Sequence, residues 1–257
     1  MKRIVVIPDM QIPSHDPKAV AAVQRFVKDY QPDMLLCVGD EADSPEPSQW
    51  AKGFAEEYSG TLQYGLDLTA KIMRQFKESI GDRPFITMRS NHGDRIKKYI
   101  NKYSPALSSL RALEYETLLQ YKENGITYKS EPYEFAPGFV LAHGDEGGLV
   151  QTAGGTGLSL ARKWGVSVVC GHTHKLGLQH DHDAFNGLTR RYIFGLEVGH
   201  LMQYGNGENG ASYLRGGYGN WQQGFGIITV KGNKVSPIPI PIINRHFVVE
   251  GKEYSWK

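Results

Sequence analysis

Cysteine is scarce. Cys37 and Cys170 are the two in 257 residues, and each lies inside an apolar run. That excludes a small disulfide-stapled scaffold; the pair is read as buried thiols rather than a bridge or a metal pair, in a reducing, cytoplasmic setting. Long apolar runs are missing too. None approaches the roughly 20 residues a membrane helix needs, so no membrane partner is expected. The opening Met1-Lys2-Arg3-Ile4-Val5-Val6-Ile7-Pro8-Asp9 has an apolar run too short for a signal peptide. Neither sign of charge dominates: 29 Lys and Arg stand against 27 Asp and Glu, and a net charge of +2 gives no argument for nucleic acid. Internal repeats and domain-splitting linkers are likewise missing. With 40% hydrophobic and 22% charged residues, a sizeable core is expected, in one domain spanning 1–257.

Short apolar runs that end abruptly in polar residues are abundant. Segment 4–7 leads into Pro8-Asp9, 34–38 into Gly39-Asp40, 85–88 into Arg89-Ser90-Asn91-His92, 139–142 into His143-Gly144-Asp145, and 166–170 into Gly171-His172-Thr173-His174. Continuous rather than alternating runs suit strands covered on both faces. Helical spacing fills the gaps: 17–30 with Val20, Val23, Phe26 and Val27, then 62–80 with Leu66, Ile72, Met73 and Phe76. Helices are also predicted over 94–100, 105–121 and 158–164. Beyond about residue 177 the pattern predicts strands at 189–194, 224–230, 234–240 and 245–249, with a hairpin at Lys231-Gly232-Asn233-Lys234. Segment 203–220 reads as a long surface loop. The alternation argues for layered α/β architecture.

Ligands in open α/β sheets collect beyond the carboxyl ends of strands. The five exits here present Asp9, Asp40, Asn91, His143, and the pair His172 and His174. Each alone has an ordinary reading, an Asp as a turn residue or a His as a hydrogen-bonded structural group. Six such groups at five exits predict a metal site. Carboxylate, amide and imidazole without thiolate favour manganese, iron, zinc or magnesium over a structural zinc site.

This set resembles the calcineurin-like metallophosphoesterase superfamily, whose motifs run D-x-H, G-D-x-x-D, G-N-H-[ED], a lone His, and G-H-x-H. The chain offers Asp9-Met10-Gln11, Gly39-Asp40-Glu41-Ala42-Asp43, Ser90-Asn91-His92-Gly93, His143, and Gly171-His172-Thr173-His174. The resemblance implies a four-layer sandwich, two mixed β-sheets flanked by helices. It implies two divalent cations, manganese foremost, with magnesium, iron or zinc as alternatives. Asp40 would bridge them, Asp9 and His174 would hold the first, and Asn91, His143 and His172 the second. A metal-bridging hydroxide would attack phosphorus, while His92, oriented by Asp43, would stabilise or protonate the leaving group. An imidazole held by a carboxylate is suited to proton transfer. Ser90 replaces the usual Gly. Gln11 replaces a metal-binding His; its neutral amide is a weaker ligand, which predicts a loose first site and a preference for manganese or magnesium. Segment Asn91-His92-Gly93-Asp94-Arg95, followed by Ser104-Pro105-Ala106-Leu107, looks like the family's phage and prophage members, which would place the protein in host cytoplasm.

Other features are weaker. His15, before Pro17, is read as a residue at the start of a helix, with a substitute metal ligand as the alternative. Gly205-Asn206-Gly207-Glu208-Asn209-Gly210 fits a dinucleotide fingerprint in letters but has no following helix, and is read as loop. His180-Asp181-His182-Asp183 is read as charged residues at a β-turn rather than a metal tract. Arg95, Lys97, Lys98, Tyr99, Lys102, Tyr103 and Arg111 form either a solvated helical face, the commoner case, or a surface for a phosphate backbone. Arg95 and His200 are candidate substrate contacts.

The family's protein phosphatase branch follows G-D-x-x-D with Arg-Gly, whereas Asp43 here precedes Ser44-Pro45. Phosphodiesters, nucleotides, DNA or RNA are therefore favoured substrates. The alternatives are a phosphomonoesterase on small phosphates and a metal-binding scaffold without activity. Nothing in the sequence fixes the oligomeric state.

Overall fold

The computed structural model describes residues 1–203 and 219–257, so Gly205-Asn206-Gly207-Glu208-Asn209-Gly210 and most of segment 203–220 lie outside the described residues. Every apolar run that leads to a candidate ligand is a strand: β1 Lys2–Ile7, β2 Met34–Cys37, β3 Phe85–Met88, β6 Phe139–Leu141 and β7 Ser167–Cys170. Their side chains are mostly buried, Lys2, Arg3, Phe139 and Val140 being half-buried at strand starts, as strands sandwiched on both faces require. The helix α1 spans Pro17–Tyr30. Asp16 caps it by accepting from the amides of Lys18 and Ala19, Pro17 fixes the first turn, and Gln31 ends it in a left-handed conformation (φ +50°). The helix α2 spans Leu62–Ile80 and stops at Gly81. Both helices keep the boundaries their spacing predicts.

Two sheets carry the molecule. Strands β4 Thr127–Lys129, β10 Gly224–Lys231 and β11 Lys234–Pro241 complete the first, in the order β11-β10-β1-β2-β3-β4. The second runs β5-β6-β7-β9-β8, with β5 Tyr133–Ala136, β8 Leu176–Phe185 and β9 Leu188–Val198. A hairpin, β12 His246–Val249 and β13 Lys252–Ser255, packs Phe247 and Tyr254 against Phe26 of α1. Alternate residues of β1 separate two cores. Val5 and Ile7 face α1 and α2 with Phe26, Phe76 and Phe225, whereas Ile4 and Val6 meet Val169, Phe194 and Leu196 of the second sheet. Beyond that sheet lies α5 Gly155–Trp164, burying Leu158 and Leu160 on Val168 and Ile193. The succession helix, sheet, sheet, helix is the expected α/β four-layer sandwich. The Lys231-to-Lys234 hairpin turn is present as read.

Two expectations fail. Segment 105–121 is not one helix: 3-10 turns at Pro105–Leu107 and Arg111–Leu113 precede a short α4, Tyr115–Leu118. The backbone is extended at Leu110 and Glu114, which breaks the helix into short turns; Leu107 and Leu110 are left exposed, while Tyr115, Leu119 and Tyr121 reach the core. His180-Asp181-His182-Asp183 is not a turn but the middle of edge strand β8. It is polar because its side chains meet solvent, Arg162, Arg191, Tyr192 and Thr189 rather than a core. Among the described residues, no helix is long and apolar enough to cross a membrane.

Candidate metal centre

The loops that leave the strands are zipped to one another. After β1, the amides of Met10 and Gln11 donate to Asp40 O, and Ile12 N donates to Glu41 O (3.1, 2.9 and 2.8 Å). In the second sheet Gly171 N donates to His143 O (2.8 Å), and Leu201 N reaches across to Asp9 O (2.8 Å). Close approach needs glycine: a Cβ on Gly171 would sit 2.5 Å from Asp9 Oδ1, and one on Gly39, at φ +98°, 2.8 Å from Ser90 Cβ. Gln11, Asp40, His172 and His174 all occupy the left-handed region, at φ +54°, +51°, +66° and +58°. Strain of this kind clusters at functional sites held by their surroundings.

The ligand atoms then converge. His143 Nδ1 donates to Val38 O (2.8 Å), which directs Nε2 at the other candidate ligands. That nitrogen stands 2.7 Å from Asn91 Oδ1 and 3.5 Å from Asp40 Oδ2, and His172 Nδ1 lies 3.0 Å from the same amide oxygen. Asp40, His143 and His172 thus gather ligand atoms around one point, an arrangement suited to a cation. Although burial works to raise it, the imidazoles of His92, His143 and His172 hold Asp40 below the usual carboxylate range. Burial, then the charge of His143, lowers His172, a direction that favours the neutral imidazole a metal needs.

The neighbouring half of the site differs. Asp9 is fully buried, and among the described residues neither of its carboxylate oxygens has a hydrogen-bond partner; the same holds for Gln11 Oε1 and His174 Nδ1. His174 Nε2 lies 3.6 Å from Asp9 Oδ2. Burial, then the charge of Asp40, pushes Asp9 upward, and burial lowers His174. Orphaned buried polar atoms in one cluster fit a second cation. Gln11, however, donates Nε2–H to Asp40 Oδ2 at 2.8 Å, using a lone pair of the carboxylate shared by both halves. These residues fit divalent cations well in the Asn91 half and less completely in the Gln11 half.

At the rim, His92 lies between Asp43 and Arg95. Its Nδ1 is 3.0 Å from Asp43 Oδ1, and its Nε2 is 2.9 Å from Arg95 Nη2. A guanidinium can only donate, so Nε2 accepts, Nδ1 carries the proton, and the N–H groups at this rim belong to Arg95. Arg95 also donates to Asp43 Oδ1 (3.0 Å). The guanidinium missing after Asp43 in sequence therefore arrives from α3, Asp94–Tyr103.

The family model for calcineurin-like phosphoesterases matches residues 2–176. The chain belongs to that family. It is accordingly a metal-dependent phosphoesterase, and its relatives are phage proteins. It is 36% identical over 253 residues to the gene 54 protein of Mycobacterium phage D29, covering 97% of each chain, and 34% identical over 257 residues to the gene 54 protein of Mycobacterium phage L5, covering 99% of each. Among solved structures it is similar to Vacuolar Protein Sorting 29 from Cryptosporidium parvum, at 17% identity, a TM-score of 0.48, and 99% and 98% coverage of the two chains.

Other placements follow. His200 pairs in register with Asp9 and its ring lies 5.7 Å from that of His174, so it reaches the Gln11 half of this calcineurin-like site. Its Nδ1 accepts from Met202 N (3.0 Å), which fixes the proton on Nε2, a donor rather than a ligand. His15 Nδ1 stands 3.2 Å from Pro13 O, beside the Asp16 cap of α1, as read. Cys37 and Cys170 are buried free thiols. Sequence reasoning missed two buried acids. Glu197 accepts from Thr173 Oγ1 (2.9 Å) and Gly154 N (2.5 Å), anchoring the residue between His172 and His174. Glu41, next to Asp40, accepts from Thr87 and from Tyr115 Oη. A charge inside the apolar Leu196-Glu197-Val198 was the available signal. Arg89 was also missed; it bonds Asp145 and Asp94, tying the His143 loop to the start of α3.

Proposed function

We propose that this phosphoesterase hydrolyses phosphodiesters, in nucleic acid or nucleotides, using two divalent cations with manganese preferred. Asp40, Asn91, His143 and His172 would hold one, and Asp9, His174 and Asp40, with Gln11 alongside, the other. When bound, the cations supply Lewis acidity toward a phosphoryl oxygen and an attacking water. The side chains do the rest. Glu197 and Arg89 hold the ligand loops in place. Arg95, aimed past His92, offers N–H groups to a phosphoryl oxygen. A phosphate that draws Arg95 away frees His92 Nε2 to take a proton and pass it to the leaving oxygen, while Asp43 keeps the ring oriented.

The observation that carries this reading is the Asp43–His92–Arg95 chain at the rim, with contacts of 3.0 and 2.9 Å. A scaffold that only binds metal has no use for it. Gln11 favours the scaffold alternative, so the test must separate the two. Hydrolysis is measured with manganese, magnesium, zinc and iron on an aryl monoester, an aryl diester, a cyclic nucleotide, and single- and double-stranded DNA. Expected is diester cleavage, strongest with manganese, that His92→Ala abolishes while the bound metal is retained. Monoester turnover alone would replace the diesterase reading with a phosphomonoesterase, and no turnover on any substrate would leave the scaffold.

A further inference from the structure

Helix α3 leads away from the site and is built two-sided. Ile96 is buried, and Ile100 packs partly against the core. Arg95, Lys98, Tyr99, Lys102 and Tyr103 recur at spacings of three and four, so they share one face. That face does not merely meet bulk water. With Trp50, from the loop before α2, it lines an open groove of about 400 Å³, within the range of roughly 300–1,000 Å³ usual for ligand clefts. The groove's inner end is Asn91, the amide at the centre of the acceptor cluster.

Its chemistry is one-sided. No carboxylate is among its lining residues; behind them, Lys98 pairs with Asp94 (3.3 Å) and Tyr99 Oη reaches Glu57 (3.5 Å), while Lys102 makes no ion pair among the described residues. Lys52 adds a further cation, with Nζ 3.4 Å from the centre of the Tyr103 ring. Trp50 is 79% exposed, a large flat apolar side chain turned to solvent. An exposed indole beside a row of ammonium groups suits a ligand that alternates flat π-faces with negative charge. Eight residues of α3 separate Arg95 from Tyr103, about 12 Å of rise, enough for about three stacked nucleotides at roughly 3.4 Å each.

We propose that this groove binds single-stranded nucleic acid, with a base stacked on Trp50 and the backbone along Lys98 and Lys102, feeding a phosphodiester toward Asn91. A duplex keeps its base faces covered and cannot use Trp50 in this way. The assignment rests on the phosphodiesterase reading for what happens to the strand, but not for its binding.

The test measures binding without turnover. A labelled 12-nucleotide oligo-dT is titrated with the full chain in chelator and followed by fluorescence anisotropy. Expected is tighter binding than to a blunt duplex of equal length or to dTMP. Trp50→Ala should weaken it roughly 5- to 100-fold while Trp50→Phe retains most of it. Lys98→Ala and Lys102→Ala should each lower the slope of log affinity against log salt by about 0.7. Trp50 is exposed, so an unchanged thermal midpoint checks that its variants fold. Equal affinity for strand and duplex, dTMP competing as well as the 12-mer, or no effect of Trp50→Ala would each overturn the proposal. Aryl diester hydrolysis by the unmodified protein is run in parallel. Strand binding without that turnover defeats the phosphodiesterase reading alone, and turnover without strand preference defeats the groove alone.

Discussion

Gln11 Nε2 donates to Asp40 Oδ2 across 2.8 Å, so a neutral amide is bonded to the carboxylate shared by both halves of the metal centre. A cation competing for that oxygen's lone pair must displace the Gln11 amide, which has no imidazole to offer in exchange. Calorimetric titration with manganese should therefore resolve one tight site and one at least about tenfold weaker. Gln11→His should narrow the gap. Two equal sites in the unmodified protein would refute the asymmetry.

His92 and Arg95 act as a pair. His92→Ala should lower kcat on a diester by about 10²- to 10⁴-fold, and Arg95→Met by about 10²-fold, with bound metal unchanged in both. Metal content measured by atomic absorption separates these effects from loss of the site. Arg95→Met with full kcat would mean that the guanidinium only braces Asp43.

Glu197 touches no ligand atom, yet it holds Thr173 between His172 and His174. Glu197→Ala should weaken metal binding about 10- to 100-fold. Glu197→Gln should fall between, because it can still accept from Thr173 but turns an N–H toward Gly154 N. Equilibrium titration reads this without any activity assay.

Acid should destabilise the metal-free protein partly through His200, which burial holds down at about 3. The unfolded chain binds this proton near pH 6.5 and the folded chain refuses it. Its contribution is full above pH 6.5 and falls as pH drops toward 3, by up to about 1.4 kcal/mol per pH unit. Asp9, Glu41 and Glu197, raised by burial, act in the opposite sense, so the difference between proteins is the measure. Urea unfolding at several pH values in chelator should show a shallower acid limb for His200→Gln. An unchanged limb would mean that His200 is protonated in the fold.

Much of the site could be read from letters because its ligands follow strands directly. An Asp or His that ends a buried apolar run stands at a sheet edge whatever the rest of the chain does. The helix α1 was equally legible, since Asp16, Pro17 and the apolar spacing are local signals. What could not be read depends on distant partners. Strand β8 is charged because it is an edge, and edges are settled by topology. Segment 105–121 has helix-forming residues, and the extended backbone at Leu110 and Glu114 that interrupts them has no Gly or Pro to announce it. Arg95 reaching His92 is local, three residues along the chain, whereas Trp50 facing α3 requires the long loop after Asp40 to return to the site, which no periodicity encodes.

The six candidate strand-end ligands divide evenly by origin: Asp9, Asp40 and Asn91 leave the first sheet, and His143, His172 and His174 the second. A cation held among them is therefore a rivet through the sandwich, bonded on both sides of the seam. Sliding one sheet past the other by an ångström would pull the donor atoms out of reach of a common ion. Metal occupancy thus reports whether the two sheets are seated, and a substitution deep in the seam, far from any phosphate, can silence the protein by shear.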